Sequence, residues 1–205
     1  MYTAYHSLYW ATASTLRGGG DDLSRLSQSI ASARVDLNPH QVDAALSALR
    51  SPLSKGILAD ELGLGKTIEA ALVIAQRWAE RRRRILLILP ATLRKQWQQE
   101  LLEKFSLPCV ILESKSYNEA LKAGGGNPNP FMADNRVVIC SYQFAKARKT
   151  DIASVSWHLV ILDEAHRLRN IFKGTNKTAA AIAEALEPRH KLLLTANRRQ
   201  STAMH

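Results

Sequence analysis

Short apolar runs alternate along this chain with longer segments that carry apolar residues at helical spacing. Continuous apolar runs are typical of parallel strands that are buried on both faces of a sheet. We predict strands at 57–59, 85–89, 110–112, 137–140, 159–162 and 191–194. Because helical segments separate most of these strands, the fold class is predicted to be α/β, with three layers and a mostly parallel central sheet.

Helices are predicted at 22–32, 39–50, 67–78, 117–122 and 177–186, and the Gly- and Pro-rich segment 124–130 is predicted to be a loop. Pro39 at the first helical position, with Asn38 as N-cap, starts the second of these helices. Thr92 is predicted to cap a further helix. Apolar residues recur there at every fourth position and form an amphipathic stripe: Leu93, Trp97, Leu101 and Phe105.

The turn that follows the first predicted strand reads Asp-Glu-Leu-Gly-Leu-Gly-Lys-Thr. Gly63 and Gly65 allow backbone N–H groups to approach phosphate oxygens, and the N-terminus of the next helix adds a partial positive charge. Lys66 is predicted to reach the β- and γ-phosphates, and the Thr67 hydroxyl to ligate Mg²⁺. Since phosphate loops generally have glycine where this chain has Asp60, an ordinary glycine turn is the alternative for this segment alone.

A second motif, Asp-Glu-Ala-His, follows the apolar run 159–162. Asp163 stands at the carboxyl end of a strand, where open α/β sheets bind their ligands. It is predicted to hold Mg²⁺, usually through water, while Glu164 orients or deprotonates the attacking water. A solvated strand end is the alternative, but the upstream phosphate loop disfavours it. The two motifs together predict a site for a nucleoside triphosphate and Mg²⁺ in which Lys66, Asp163 and Glu164 are catalytic.

These motifs resemble those of the SWI/SNF-related branch of the superfamily-two helicases, which carry an Asp-Glu-Ala-His box. Further segments between residues 35 and 196 are similar to other motifs of that family: Leu37-Asn38-Pro39-His40-Gln41, Leu89-Pro90-Ala91-Thr92-Leu93 with Trp97 (motif Ia), Ile139-Cys140-Ser141-Tyr142, and Leu192-Leu193-Leu194-Thr195-Ala196 (motif III). The resemblance implies a RecA-like lobe of the P-loop NTPase class. It also implies an ATP-driven translocase that acts on nucleic acid, more than an enzyme that separates strands.

The resemblance implies roles for individual residues. Gln41 would read adenine, and the residues that bind the triphosphate would be Gly63, Leu64, Gly65, Lys66 and Thr67. His166 would couple the nucleotide site to motif III. Candidate nucleic-acid contacts are Thr92, Arg94, Lys95, Ser141 and Tyr142. The residues alone leave DNA and RNA open, and the family likeness favours double-stranded DNA.

The resemblance ends just after motif III. The family continues with a further Thr and a Pro, whereas this chain has Asn197 and Arg198 and stops at His205. The sequence therefore predicts an N-terminal arm (1–34), an ATP-binding domain (35–196) and a divergent tail (197–205). The second lobe, which supplies arginine fingers in the family, would have to act in trans. The alternative is a truncated binding module or a gene remnant, such as a frame shift past motif III would leave.

Composition fits a single globular domain, because 46% of the 205 residues are hydrophobic and 22% are charged. The formal net charge is +10, and the basic excess lies in 77–104 and 136–205. Such an excess indicates polyanionic partners. The arginine run 81–84 is more typical of a solvated helix end, where it complements the helix dipole.

Two cysteines, Cys109 and Cys140, are too few for a disulfide framework, and their spacing indicates no zinc site. Buried, reduced thiols are therefore expected. The sequence has no apolar run long enough to span a membrane, and its N-terminus lacks the basic region of a signal peptide. We predict a cytoplasmic protein of bacterial type, without a membrane partner and with association with the nucleoid left open.

Overall fold

A computed structural model of the chain describes residues 33–50, 55–59, 65–123, 129–132, 135–165, 177–186 and 191–195. The helix predicted at 22–32, most of the predicted loop 124–130 and the predicted divergent tail lie outside these ranges. Among the functional residues predicted above, Gly63, Leu64 and His166 also lie outside them.

Within the described ranges, six strands form one sheet, and all of their pairings are parallel. The strands are β1 (Lys55–Ala59), β2 (Ile85–Leu89), β3 (Cys109–Leu112), β4 (Val137–Ser141), β5 (Leu159–Leu162) and β6 (Lys191–Thr195). Their order across the sheet is β1-β6-β5-β2-β4-β3. Because the strands are parallel, the segments that follow them all emerge at one edge, and the predicted α/β class is confirmed.

The described helices connect the strands across the faces of this sheet. They are α1 (Pro39–Arg50), α2 (Lys66–Ala79), α3 (Arg94–Phe105), α4 (Ser114–Ala123), α5 (Tyr142–Ala147), α6 (Lys149–Ala153) and α7 (Lys177–Ala185). A 3-10 turn, Ala91–Leu93, precedes α3. The short helices α5 and α6 were not predicted from the sequence, because neither is long enough to display a helical period.

Alternate residues of β2 enter two different hydrophobic cores, as the two-residue period of a strand requires. Ile85, Leu87 and Leu89 pack in the core that also contains buried residues of α1, α2 and α3. Leu86 and Ile88 pack in the second core with residues of α5, α6 and α7. Helices therefore cover both faces of the sheet, which confirms the three-layer prediction.

The start of α3 differs from the prediction that Thr92 caps it. Pro90 is extended, and the Leu93 amide donates to its carbonyl (3.0 Å), so that a 3-10 turn comes first. Leu93 is the N-cap of α3, and no side chain forms a capping hydrogen bond there. Thr92 is exposed within the turn. The predicted cap is therefore wrong, although the amphipathic stripe is confirmed, since Trp97, Leu101 and Phe105 are buried.

Both cysteines are free: Cys140 is buried and Cys109 is half-buried. Burial raises the pKa of each thiol to about 12. The prediction of reduced thiols thus agrees with their surroundings. In the parts of the chain that the structure describes, no helix has the length and apolar character needed to cross a membrane.

Candidate functional site

The described end of the phosphate loop is Gly65, which precedes the first residue of α2. Gly65 has φ 113°, a left-handed conformation that favours glycine. Its carbonyl accepts hydrogen bonds from the amides of Ile68 (2.8 Å) and Glu69 (3.0 Å), so the glycine is built into the first turn of the helix. Lys66 and Thr67 follow at the carboxyl edge of the sheet, and both are half-buried.

Gln41 packs directly against this glycine. The Gln41 side chain is buried, and its Oε1 accepts a hydrogen bond from the Asn38 amide (3.1 Å). A Cβ atom at position 65 would overlap Gln41 Nε2. The structure therefore brings the residue predicted to read adenine and the end of the phosphate loop into contact.

Asp163, at the end of β5, is held by hydrogen bonds from several elements. Its amide donates to the Ile88 carbonyl (3.0 Å), and its own carbonyl accepts from the Tyr142 hydroxyl (2.6 Å). One carboxylate oxygen, Oδ1, accepts from the Glu164 amide (2.8 Å). The other, Oδ2, accepts from the Trp97 indole N–H (2.9 Å). The carboxylate is thus fixed in direction, while each oxygen retains a lone pair for a further ligand.

The electrostatic surroundings of Asp163 link it to the phosphate loop. Burial raises the pKa of the Asp163 carboxyl above its ordinary value, and the nearby charge of Glu164 adds to that increase. The Trp97 and Glu164 hydrogen bonds and the positive charge of Lys66 act in the opposite direction on this pKa. Lys66 and Asp163 therefore lie within electrostatic reach of each other, although β6 separates their strands.

Glu164 has an unusual backbone conformation. Among the described residues, the non-glycine residues with positive φ are Arg81, Ser106 and Glu164. The first two follow helix ends, where left-handed residues are common. Glu164 has φ 54° directly after a strand, beside the Asp163 carboxylate. Backbone conformations of low population tend to cluster at functional sites.

The candidate nucleic-acid contacts fall into two groups. Thr92 and Lys95 are exposed near the start of α3. Arg94 lies between them: its Nε donates to the Ala91 carbonyl (3.0 Å), and its guanidinium forms an ion pair with Glu113 (3.0 Å).

Ser141 and Tyr142 form the second group, and both are buried. The Ser141 hydroxyl accepts from the Phe144 amide and caps α5, while the Tyr142 hydroxyl is bonded to Asp163. These contacts favour a supporting role inside the domain for this second group. Direct contact of either side chain with nucleic acid stays a prediction.

Sequence reasoning assigned Trp97 to the hydrophobic core and missed its polar end. Trp97 is 2% exposed, so its ring does belong to the core. A buried tryptophan generally finds an acceptor for its indole N–H. Because Trp97 belongs to motif Ia, this rule could have predicted that a polar group of the site lies next to its indole N–H.

The chain is similar to known proteins in sequence and in fold. Residues 33–198 match the family model described as the SNF2-related domain. RNA polymerase-associated protein RapA of Yersinia pseudotuberculosis serotype O:1b (strain IP 31758) is 40% identical over 139 residues. RapA of Yersinia enterocolitica serotype O:8 / biotype 1B (strain NCTC 13174 / 8081) has the same identity over the same length. In both cases the alignment covers 66% of this chain and 14% of the relative.

Among solved structures, the SWI2/SNF2 ATPase core of Sulfolobus solfataricus in complex with dsDNA is similar, with a TM-score of 0.63 and 21% sequence identity. The similarity covers 81% of this chain and 33% of that one, and it confirms the predicted RecA-like fold. The family match covers most of the chain and includes both nucleotide motifs. This chain therefore belongs to the SNF2-related domain family, as the N-terminal lobe of the ATPase.

Proposed function

We propose that this domain binds Mg·ATP and double-stranded DNA as the N-terminal lobe of an ATP-driven translocase. The observation that best supports the proposal is that Lys66 and Asp163 both lie at the carboxyl edge of the sheet, close enough for the charge of Lys66 to act on the Asp163 carboxylate. A strand-end carboxylate beside a phosphate-loop lysine is the arrangement that a triphosphate and its metal require. The contact between Gln41 and Gly65 adds a group that can read the base.

The described residues fit the nucleotide and the metal. Gly65 places its backbone at the N-terminus of α2, where free N–H groups and the helix dipole suit a phosphate oxygen. In the proposed site Gly63, Leu64 and Gly65 supply backbone N–H groups, and Lys66 contacts the β- and γ-phosphates. Thr67 and Asp163 hold Mg²⁺, which when bound neutralises charge on the phosphate oxygens.

The remaining roles concern the attacking water. Glu164 lies next to Asp163 and is proposed to orient that water and take its proton. Its left-handed backbone sets where its carboxylate emerges from the strand end. His166 is proposed to connect the site to motif III.

Hydrolysis is proposed to require a second lobe. Phosphoryl transfer depends on charge stabilisation, and an arginine finger is typically worth on the order of 10³–10⁵ in rate. The chain covers 14% of the length of its RapA relatives and 33% of the solved SWI2/SNF2 core. We therefore expect the domain by itself to bind nucleotide and to turn it over slowly, with the arginine supplied by a second lobe.

The proposed nucleic-acid surface is the exposed start of α3. Thr92 and Lys95 are exposed there, and Arg94 is close beside them. A net charge of +10 favours a polyanion. The similar SWI2/SNF2 core was solved with dsDNA, which supports duplex DNA as the partner. A cytoplasmic location is proposed with it.

Nucleotide binding and turnover test the proposal. The affinity for a fluorescent ATP analogue with Mg²⁺ is measured for the unmodified chain, Lys66→Ala and Glu164→Gln, and ATP hydrolysis is followed with and without duplex DNA. We expect Lys66→Ala to lose binding and Glu164→Gln to retain it. Arg83→Ala, in the exposed segment between α2 and β2, is the charge control. Equal affinity of Lys66→Ala and the unmodified chain would refute the site.

The hydrolysis measurement separates the two functions that the sequence left open. DNA-stimulated turnover that is lost in both site variants would support a working motor lobe. Nucleotide binding without turnover, in the presence or absence of DNA, would support a binding module.

A further inference from the structure

Trp97 connects two parts of the molecule that the proposed function treats separately. Its indole N–H donates to Asp163 Oδ2 at 2.9 Å, across 66 positions of sequence. Its backbone lies in the first turn of α3, three residues after Arg94. One side chain therefore joins the carboxylate proposed to hold the metal to the segment proposed to contact DNA.

The segment that carries Trp97 is held as a unit. The 3-10 turn Ala91–Leu93 runs directly into α3, and the Arg94 side chain bonds back to the Ala91 carbonyl. Residues three apart on a helix are separated by about one turn, about 5 Å along the axis. A displacement at Arg94 or Lys95 would consequently move the Trp97 backbone, since no flexible link lies between them.

The indole ring of Trp97 is held as firmly as its backbone. Its ring is 2% exposed and packs in the core on one face of the sheet, so the ring cannot turn independently of its helix. The Asp163 backbone is fixed separately, through the Ile88 carbonyl and the Tyr142 hydroxyl. Movement of α3 would therefore alter the direction of the Asp163 carboxylate relative to a fixed strand end.

We propose that Trp97 is a positioning residue through which DNA bound at the start of α3 adjusts the Asp163 carboxylate for Mg²⁺. The inference rests on the proposed function of this site. In this proposal, the hydrogen bond from Trp97 to Asp163 couples DNA binding to the binding of Mg²⁺ and nucleotide. By linkage, that coupling must act equally in both directions.

Trp157 provides a matched control. It is also buried (6% exposed), and its indole N–H also donates an internal hydrogen bond of 2.9 Å, to the Ile152 carbonyl. It lies in the other hydrophobic core and precedes β5, whereas Asp163 follows that strand. Trp97→Phe and Trp157→Phe thus each remove one buried indole donor and retain an aromatic ring, and only the first touches the site.

The first measurement is the affinity for ADP with Mg²⁺ and with EDTA, each with and without a short double-stranded DNA oligonucleotide. Charge-assisted hydrogen bonds have enough strength for a change of roughly tenfold. In Trp97→Phe we expect the increase in ADP affinity that Mg²⁺ causes to be about tenfold smaller. We also expect DNA to have no effect on that increase. Affinity in EDTA and affinity for DNA alone should stay as in the unmodified chain. Trp157→Phe should retain both responses.

The second measurement is the indole N–H resonance of each tryptophan in a ¹H–¹⁵N spectrum, assigned with the two variants. The Trp97 signal should shift when DNA is added and again with Mg·ADP, while the Trp157 signal stays in place. If the two variants behave alike, or the Trp97 signal ignores DNA while Mg·ADP binds, the coupling role is wrong and the proposed function stands. If the unmodified chain binds no Mg·ADP, the proposed function fails and the inference fails with it.

Discussion

Replacement of Gly65 by alanine tests how closely the phosphate loop is fitted to helix α1. The added Cβ would sit where the Gln41 amide now lies, at a residue whose φ of 113° an L-amino acid rarely adopts. Backbone strain of this kind costs about 1–2 kcal/mol. Displacement of Gln41 would also break its bond from the Asn38 amide, which is worth about 1 kcal/mol.

The two effects together predict that Gly65→Ala lowers the free energy of unfolding by roughly 2–3 kcal/mol. For a domain of this size, each kcal/mol corresponds to a decrease of about 2–4 °C in Tm, so a decrease of roughly 4–12 °C is expected. Calorimetry or urea unfolding followed by circular dichroism measures the change. Affinity for the ATP analogue should fall as well, because the loop must move to relieve the overlap.

A double-mutant cycle separates the overlap from the backbone strain. Gln41→Ala removes the amide that the new Cβ would meet, so Gly65→Ala should cost about 1 kcal/mol less in that background than in the unmodified chain. The remaining cost is the strain of the left-handed backbone. If Gly65→Ala unfolds at the same temperature as the unmodified chain and binds nucleotide equally well, then the close packing of loop and helix has been misjudged.

Three further predictions concern the remainder of the domain. Burial raises the pKa of the Cys140 thiol to about 12. Iodoacetamide at pH 8 should therefore alkylate Cys140 on the order of 10³-fold more slowly in the folded chain than in the chain unfolded by guanidinium, as measured by mass spectrometry. Rapid labelling of the folded chain would contradict this. Glu113→Gln should release Arg94 from its ion pair and raise affinity for duplex DNA roughly two- to tenfold at low salt, by fluorescence anisotropy. Glu184→Gln, which breaks the exposed ion pair with Lys149, should leave the affinity for duplex DNA unchanged. An equal increase in affinity in both variants would show that the effect of Glu113→Gln is not local to Arg94. Phe131→Ala, at a fully buried ring, should destabilise the fold by about 3–5 kcal/mol in urea, and a loss below about 1 kcal/mol would show that this ring is poorly packed.

The sequence was most informative where a single local pattern determined the structure. The apolar run of β2 predicted its bounds, Ile85–Leu89, and Pro39 correctly marked the start of α1. Local pattern also identified the buried stripe of α3. Local pattern could not identify the acceptor of the Trp97 indole N–H, because Asp163 lies 66 positions away in sequence.

Other features depended on packing that a linear pattern does not record. The sequence predicted parallel strands but not that β6 lies between β1 and β5. The left-handed conformation of Glu164 likewise has no signature in residue type, since glutamate rarely adopts it. The sequence predicted Arg94 as a nucleic-acid contact, and its ion pair with Glu113 is visible only in the fold.

The position of β6 has a consequence for biosynthesis. Strands β1 and β5 reach their final separation only when the segment Lys191–Thr195 is inserted between them. A nascent chain that has emerged from the ribosome as far as Glu164 therefore contains every described polar residue of the proposed site, yet lacks β6, the strand that sets the distance between β1 and β5. Nucleotide should consequently be unable to assist the early steps of folding, and should protect the chain only after its last described strand has been inserted.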